Sequence, residues 1–410
     1  MQRLIAIPKE ETSGTKEVRK AKKQKDDAAA TKALKRVGLE PVDGKSPTPP
    51  ERNSFQHLTK LDAFVVKTTS DSFADDVIDV LNESHMILPS IIMTAPRPEM
   101  GKVYDRRPFR HNPWPEITGI RQAHSAGITG KGVLVGVLDT GIDADHIEFR
   151  RKRVDYRYVP LDPAMERLRA VRGFDVDGHG SHVCGIIAGK NTGVAPDVDL
   201  MVASAIESET LKTTLDRVLT ALDWMLQVID QPQHKDKPVI INMSLGFVPQ
   251  SLSDEQVRSV GELLDNMVTT LLETFNVLPV VAIGNDGPGQ VRAPGYFRQA
   301  LSVGAVDFVG KSADFSGGGI SAVTGEIEPD IAGYGVDILS SLERSIEGRS
   351  LYASMSGTSM ATPYVTGIAA LYASQNSALQ GTALRRHLLE NVISLDSPPD
   401  RVGAGLARFV

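Results

Sequence analysis

From residue 114 onward, apolar runs at 133–138, 199–206, 239–244, 277–284 and 300–306 alternate with segments of helical periodicity. No other feature limits the fold so much. A run without a polar face must be buried on both sides of a sheet, and strands of that kind belong to parallel sheets. The segments between them are amphipathic. One carries Leu211, Leu215, Val218, Leu219, Leu222, Leu226 and Ile229 on a face, and another Val257, Val260, Leu264, Met267, Val268, Leu271 and Phe275. The expected class is therefore α/β, with a mostly parallel sheet, helices on both sides and right-handed crossovers. These stripes read as core.

Residues 1–96 follow another pattern. Leu4-Ile5-Ala6-Ile7 and Ala63-Phe64-Val65-Val66 read as strands, Met86 to Met93 as a closing strand, and Lys16 to Val37 and Ser72 to Leu81 as helices. Lys45-Ser46-Pro47-Thr48-Pro49-Pro50 reads as a loop inserted near 44–54. Residues 97–113, with Pro96-Arg97-Pro98 and Arg106-Arg107-Pro108, read as an exposed linker.

A length of 410 residues suits one large domain and one small one, with a core that needs no disulfide. The single cysteine, Cys184, allows no intrachain disulfide and suits a reducing compartment. A net charge of −6 gives no reason to expect a nucleic-acid partner. The basic stretch from Lys16 to Arg36 lacks aromatic residues for base stacking and reads as a solvated helix face. No apolar run reaches the roughly 18 residues of a membrane span. The start, Met1 to Lys9, is too short in apolar residues for a secretory signal, so residence in the cytoplasm is expected.

Three short segments carry chemistry. Val133 to Leu138 runs into Asp139-Thr140-Gly141, which puts a carboxylate at the carboxyl end of a buried strand, where open α/β sheets place their sites. Asp177-Gly178-His179-Gly180-Ser181-His182 sets His179 among glycines at the head of a helical pattern. Ser356-Gly357-Thr358-Ser359-Met360-Ala361 places a serine hydroxyl at a helix N-terminus, where free N–H groups favour developing negative charge. Taken singly, each reads as a turn aspartate, a structural histidine or a helix cap.

In chain order they run Asp139, His179, Ser359. The three motifs resemble those of the subtilisin-like serine proteases (the subtilase, or peptidase S8, family), over roughly residues 114 to 410. The missing final glycine after Ser359-Met360-Ala361 argues against the nucleophile elbow of α/β-hydrolases. The resemblance implies a subtilisin-like three-layer catalytic domain at 114–410. It also implies a small ferredoxin-like α+β prosegment at 1–96, which would act as an intramolecular inhibitor, with processing in the 97–113 linker. It implies Ser359 as nucleophile, His179 as proton carrier, Asp139 as its orienting carboxylate and Asn285 as oxyanion donor. Ser244, Leu245 and Gly246, with Ala282, Ile283 and Gly284, would bind the polypeptide substrate. Small residues on both walls suggest a roomy pocket for a large apolar side chain.

The implied activity is a serine endopeptidase made as a zymogen, working through an acyl-enzyme. The alternatives are a transpeptidase or macrocyclase using the same residues, and a silent peptide-binding scaffold. No cofactor and no metal ligand is expected. The short Gly185–Pro196 stretch lacks the calcium loop that many relatives insert. Asp143, Asp145 and Glu148 read as surface charges, with weak structural calcium the alternative. Cys184 reads as a buried packing residue and His182 as a structural one.

Overall fold

The computed structural model describes residues 2–9, 16–42, 52–106, 114–162, 170–207, 211–246, 253–321 and 323–410. They divide into two compact units. The first lies within Met1–Ile92, Val159–Arg169 and Thr214–Gln227, and the second within Met93–Tyr158, Ala170–Thr213 and Val228–Val410.

The first unit has a five-stranded sheet in the order Glu40–Pro41, Ser54–Leu58, Ala63–Thr68, Gln2–Pro8, His85–Pro89. Gln2–Pro8 pairs antiparallel with Ala63–Thr68 on one side and His85–Pro89 on the other. Lys16–Arg36 and Asp71–Leu81 are the helices, so the order is β-α-β-β-β-α-β, a split β-α-β-β-α-β pattern with the two-residue strand Glu40–Pro41 added after the first helix. Leu4, Ala6, Leu34, Phe55, Phe64, Val66, Val77 and Leu81 form its core. Within the unit, Asp223 accepts the amides of Lys60 (2.6 Å) and Leu61 (3.2 Å), and Asp216 pairs with Arg3 at 3.1 Å.

Two local expectations differ. The closing strand expected at 86–93 is two strands, His85–Pro89 and Ile92–Thr94; between them Ser90 donates its amide to Arg3 O, the residue opposite it, and its hydroxyl to Asp216. Ser54–Leu58 is a strand although its sequence, Ser-Phe-Gln-His-Leu, has few apolar residues; its partner Ala63–Thr68 fixes it. Most of the expected insertion near 44–54 lies outside the described residues.

The second unit holds a nine-stranded sheet. Its order is Val392–Ile393, Leu406–Ala407, Ile331–Tyr334, Leu301–Val306, Val277–Ala282, Val239–Met243, Leu134–Asp139, Asp199–Ser204, Val154–Tyr158. Every pairing is parallel except the Val392–Ile393 to Leu406–Ala407 edge. The apolar runs are thus the inner strands of one parallel sheet. Edge strand Val154–Tyr158 has only Tyr156 fully buried, so its sequence carries no apolar run. Two buried helices, His179–Ala188 and Thr358–Gln375, pack on each other. Thr358–Gln375 also packs on four of the central strands.

Within the expected linker, residues 97–106 are not a free connection. They belong to the second unit, and Glu99–Tyr104 is an exposed strand paired antiparallel with Tyr352–Ser356. Residues 107–113 lie outside the described ones. Among the described residues no helix is long and apolar enough to cross a membrane.

Candidate active site

Asp139 is the last residue of strand Leu134–Asp139, at the carboxyl edge of the sheet. His179 is the first residue of helix His179–Ala188, entered through Gly178 at φ +96°, a conformation that favours glycine. Ser359 is the second residue of helix Thr358–Gln375, reached from strand Tyr352–Ser356. All three are buried.

His179 Nδ1 donates to Asp139 Oδ1 at 2.7 Å, while Nε2 has no hydrogen-bond partner among the described residues. The imidazole is thus held by one nitrogen and open at the other. Burial pushes its pKa down, but the charge and hydrogen bond of Asp139, helped by Asp177 and Asp175, hold it above the ordinary value. Asp175, four residues before His179, connects strand and helix. Its carboxylate accepts the Thr140 hydroxyl (2.8 Å) and the amides of Asp177 (3.1 Å) and Ser181 (2.6 Å). The Thr140 hydroxyl in turn accepts the Gly180 amide at 2.8 Å. Sequence reading missed this clamp, whose only signal is an acid just ahead of the histidine.

Asn285 follows strand Val277–Ala282 and stands beside the serine helix. Its Oδ1 accepts the Thr358 amide (2.9 Å) and hydroxyl (2.8 Å), which aims Nδ2 outward. Both Asn285 and Ser359 engage the chain's own backbone. The Ser359 hydroxyl donates to Pro96 O at 3.1 Å, and Asn285 Nδ2 donates to the next carbonyl, Arg97 O, at 3.0 Å. On one side of these contacts Thr94 pairs with Gly246 through two backbone bonds of 3.0 and 2.9 Å, and Ala95 N donates to Leu211 O at 2.9 Å. On the other side strand Glu99–Tyr104 begins. Residues 93–104 therefore form an unbroken strap over the serine.

A hydroxyl at a helix N-terminus, an oriented imidazole and a fixed amide donor are the parts needed for acyl transfer. Residues 130–406 match the model of the subtilase family, peptidase S8. The chain is a subtilase. As a member of that family it is a serine endopeptidase, a hydrolase of the subtilisin type. It is 39% identical over 396 residues to a subtilisin-like protease, PopC, of Myxococcus xanthus, covering 91% of this chain and 83% of that one. It is 33% identical to subtilisin Savinase of Lederbergia lenta, over 69% of this chain and 91% of that one. With an intracellular serine protease of Paenibacillus polymyxa the identity is 32%, over 68% of this chain and 79% of the other.

Of the pocket residues expected in this subtilase, Ser244, Leu245, Gly246, Ala282 and Ile283 are buried along with Gly284. The space left by the glycines is taken. A Cβ on Gly246 would lie 2.9 Å from Arg292 Cβ, and one on Gly284 would lie 2.9 Å from Arg292 Cγ. The stem of Arg292 thus lies against Gly246 and Gly284, in space that small residues alone would leave open.

Other polar residues singled out in the sequence of this subtilase have structural contacts. His182 Nε2 donates to Ala353 O at 3.0 Å, and burial pushes its pKa down to about 3. Cys184 is a buried free thiol, and burial raises its pKa well above the ordinary value, so it is unsuited to act as a nucleophile. Calcium, which the family brings to mind, does not fit the acidic trio. Asp143 accepts Arg344 N and Nε at 2.9 Å, and Asp145 pairs with Arg172 and Arg344. Asp143 and Glu148 are buried, not surface charges, and Glu148 accepts Asn191 N (2.6 Å), Asn191 Nδ2 (3.1 Å) and Tyr352 OH (2.8 Å). Arginines and fixed donors already fill the positions a cation would need.

Proposed function

We propose that Asp139, His179 and Ser359 are the catalytic triad of this protease, with Asn285 as oxyanion donor. Ser359 Oγ attacks the scissile carbonyl carbon as its proton passes to His179 Nε2. The Asp139 carboxylate holds the ring tautomer and stabilises the imidazolium. Asn285 Nδ2 donates to the oxygen as it becomes negative. Collapse breaks the C–N bond, and His179 returns the proton to the leaving amine. His179 then deprotonates a water that attacks the acyl ester, and Ser359 recovers its proton as the acid leaves.

The enzyme is made as a zymogen, with residues 1–96 as its inhibitory prosegment. The observation that carries this reading is the placement of Pro96 O on Ser359 and Arg97 O on Asn285. Hydrolysis needs the nucleophile at a carbonyl carbon and the amide donor on that same oxygen. Here the two groups engage consecutive carbonyls, so a segment paired like a substrate is held out of register for attack. Ser244 to Gly246 and Ala282 to Gly284 form the substrate-binding walls, with Thr94 on Gly246 standing where a substrate residue would pair. A buried thiol as the sole cysteine accords with work in the cytoplasm.

A fluorophosphonate probe tests the reading. The full chain is labelled before and after prolonged limited trypsin digestion at the exposed Arg106, and the labelled residue is found by mass spectrometry. Slow labelling of Ser359 before digestion and fast labelling after it is expected. Failure to label Ser359 in both forms ends the reading. Masses of products from a defined peptide separate hydrolysis from ligation: two fragments against a condensed or cyclic product.

A further inference from the structure

Counting back from the carbonyl that meets Ser359, Pro96 stands at the first position before the nucleophile, Ala95 at the second and Thr94 at the third. Gly246 pairs with that third residue through both of its backbone groups, as an extended substrate would require. Backbone pairing of this kind is blind to side chains. One side chain of the cleft is not. Arg292 Nη1 donates to the Thr94 hydroxyl at 2.8 Å.

Arg292 is built for that contact. Its Nε and Nη2 form a two-point bond to Asp286 (2.6 and 2.8 Å), which fixes the plane of the guanidinium. Its stem is wedged against Gly246 and Gly284, where any larger residue would collide with it. Its side chain is 13% exposed. With Asp286 holding one edge of the fork, Nη1 is left directed at the strap, and Arg292 cannot turn away without losing both carboxylate bonds. When a substrate displaces the strap, Nη1 loses the Thr94 hydroxyl. An apolar residue in that place leaves Nη1 with only its long, 3.5 Å contact to the backbone oxygen at that position, so a charged donor is under-satisfied.

We propose that Arg292 is a specificity-determining residue, selecting polypeptides with a hydrogen-bond-accepting side chain (threonine, serine or asparagine) three residues before the scissile bond. The inference rests on the protease reading of the same cleft and adds its substrate class. It also explains the strap's own choice of threonine. The strap carries the preferred residue at the selective position and is held there in a register that cannot react.

Threonine and valine differ by a hydroxyl against a methyl, so they isolate the contact. Two fluorogenic peptides differing only by Thr or Val at that position are offered to the full chain as it matures in the preparation. The expected ratio of kcat/KM, Thr over Val, is about fivefold or more, a conservative figure for a partly solvated bond to a charged donor. Arg292→Ala should bring the ratio to about one. A second readout uses the full chain and does not depend on maturation. Thr94→Val should raise the rate of fluorophosphonate labelling at Ser359 about fivefold by loosening the strap, and adding it to Arg292→Ala should change nothing further. A Thr/Val ratio near one in the wild type, or Thr94→Val labelling at the wild-type rate, overturns the inference while leaving the protease intact. Absence of labelling in every folded variant instead removes the protease reading on which it rests.

Discussion

Gly180 packs directly on Gly141: a Cβ added to Gly180 would lie 2.2 Å from the Gly141 carbonyl oxygen and 2.7 Å from its amide nitrogen. The residue after His179 thus touches the backbone two positions beyond Asp139. Strand end and helix start meet with no side chain between them, and the Asp139–His179 bond depends on that approach. Backbone cannot move aside cheaply. Gly180→Ala should cost about 3 kcal/mol of stability, the upper end for overpacking. It should also lower kcat about 100-fold, as an ångström-scale misplacement does. Chemical denaturation and steady-state kinetics check the two effects.

Asn285 is held by Thr358 through its oxygen, so only its amide nitrogen faces the cleft. Asn285→Ala should lower kcat by about 10²–10³ and leave KM little changed, because the lost bond strengthens only in the transition state. A rise in KM at constant kcat would make Asn285 a ground-state binding group instead.

In the proposed triad the His179 imidazole must be neutral to accept a proton from Ser359. Burial favours the neutral form, but Asp139 outweighs it, so the pKa is raised. Below that pKa the base is protonated. Activity should therefore fall on acidification with a midpoint above the ordinary histidine value of about 6.5. Asp139→Asn removes the raising charge and leaves burial unopposed. The acid limb should move to lower pH, while the plateau drops on the order of 10⁴-fold. The pH profile of kcat/KM for both proteins is the measurement.

His182 supplies the opposite sign. Its folded pKa is about 3, lowered by burial, against about 6.5 when unfolded. Between those values the unfolded chain takes up a proton that the folded chain refuses. Its contribution to stability is complete above pH 6.5 and is lost as pH falls toward 3. His182→Gln should flatten that part of the stability curve, at a cost of about 1–3 kcal/mol at neutral pH for the bond to Ala353 O. Urea unfolding at a series of pH values reads both.

Asp143, Asp145 and Glu148 are bound by Arg344, Arg172, Asn191 and Tyr352. A chelator should leave the melting temperature unchanged within about 1 °C, since binding of a cation at this place would shift it by mass action. Glu148→Gln, which weakens three buried bonds at once, should lower stability by about 2 kcal/mol.

The alternation of apolar runs and amphipathic helices was enough to place Leu134–Asp139, Asp199–Ser204, Val239–Met243, Val277–Ala282 and Leu301–Val306 in one parallel sheet. Burial on both faces is written into the composition of each such strand. Edge strands were not legible in this way. Val154–Tyr158 and Glu99–Tyr104 are half-buried or exposed, so pairing and not hydrophobicity makes them strands. The helix expected from Leu211 starts instead at Leu215, because Leu211 turns at φ +49° and Lys212–Thr214 is extended.

The chemistry divides along the same line. Asp139, His179, Ser359 and Asn285 are marked by their immediate neighbours, since glycines and small residues are needed wherever a side chain is presented at a strand end or helix start. Asp175 and Arg292 have no such surroundings, and they act through partners 35 and 198 positions away, Thr140 and Thr94. What the amino-acid order determined by itself was which groups the proposed chemistry draws on and which runs form the inner strands of one parallel sheet. Only the tertiary structure decided what lies against those groups, the strap on Ser359 and Asn285 and the guanidinium beside Gly246. Contacts of that range depend on how distant backbones approach, and local sequence does not encode that distance.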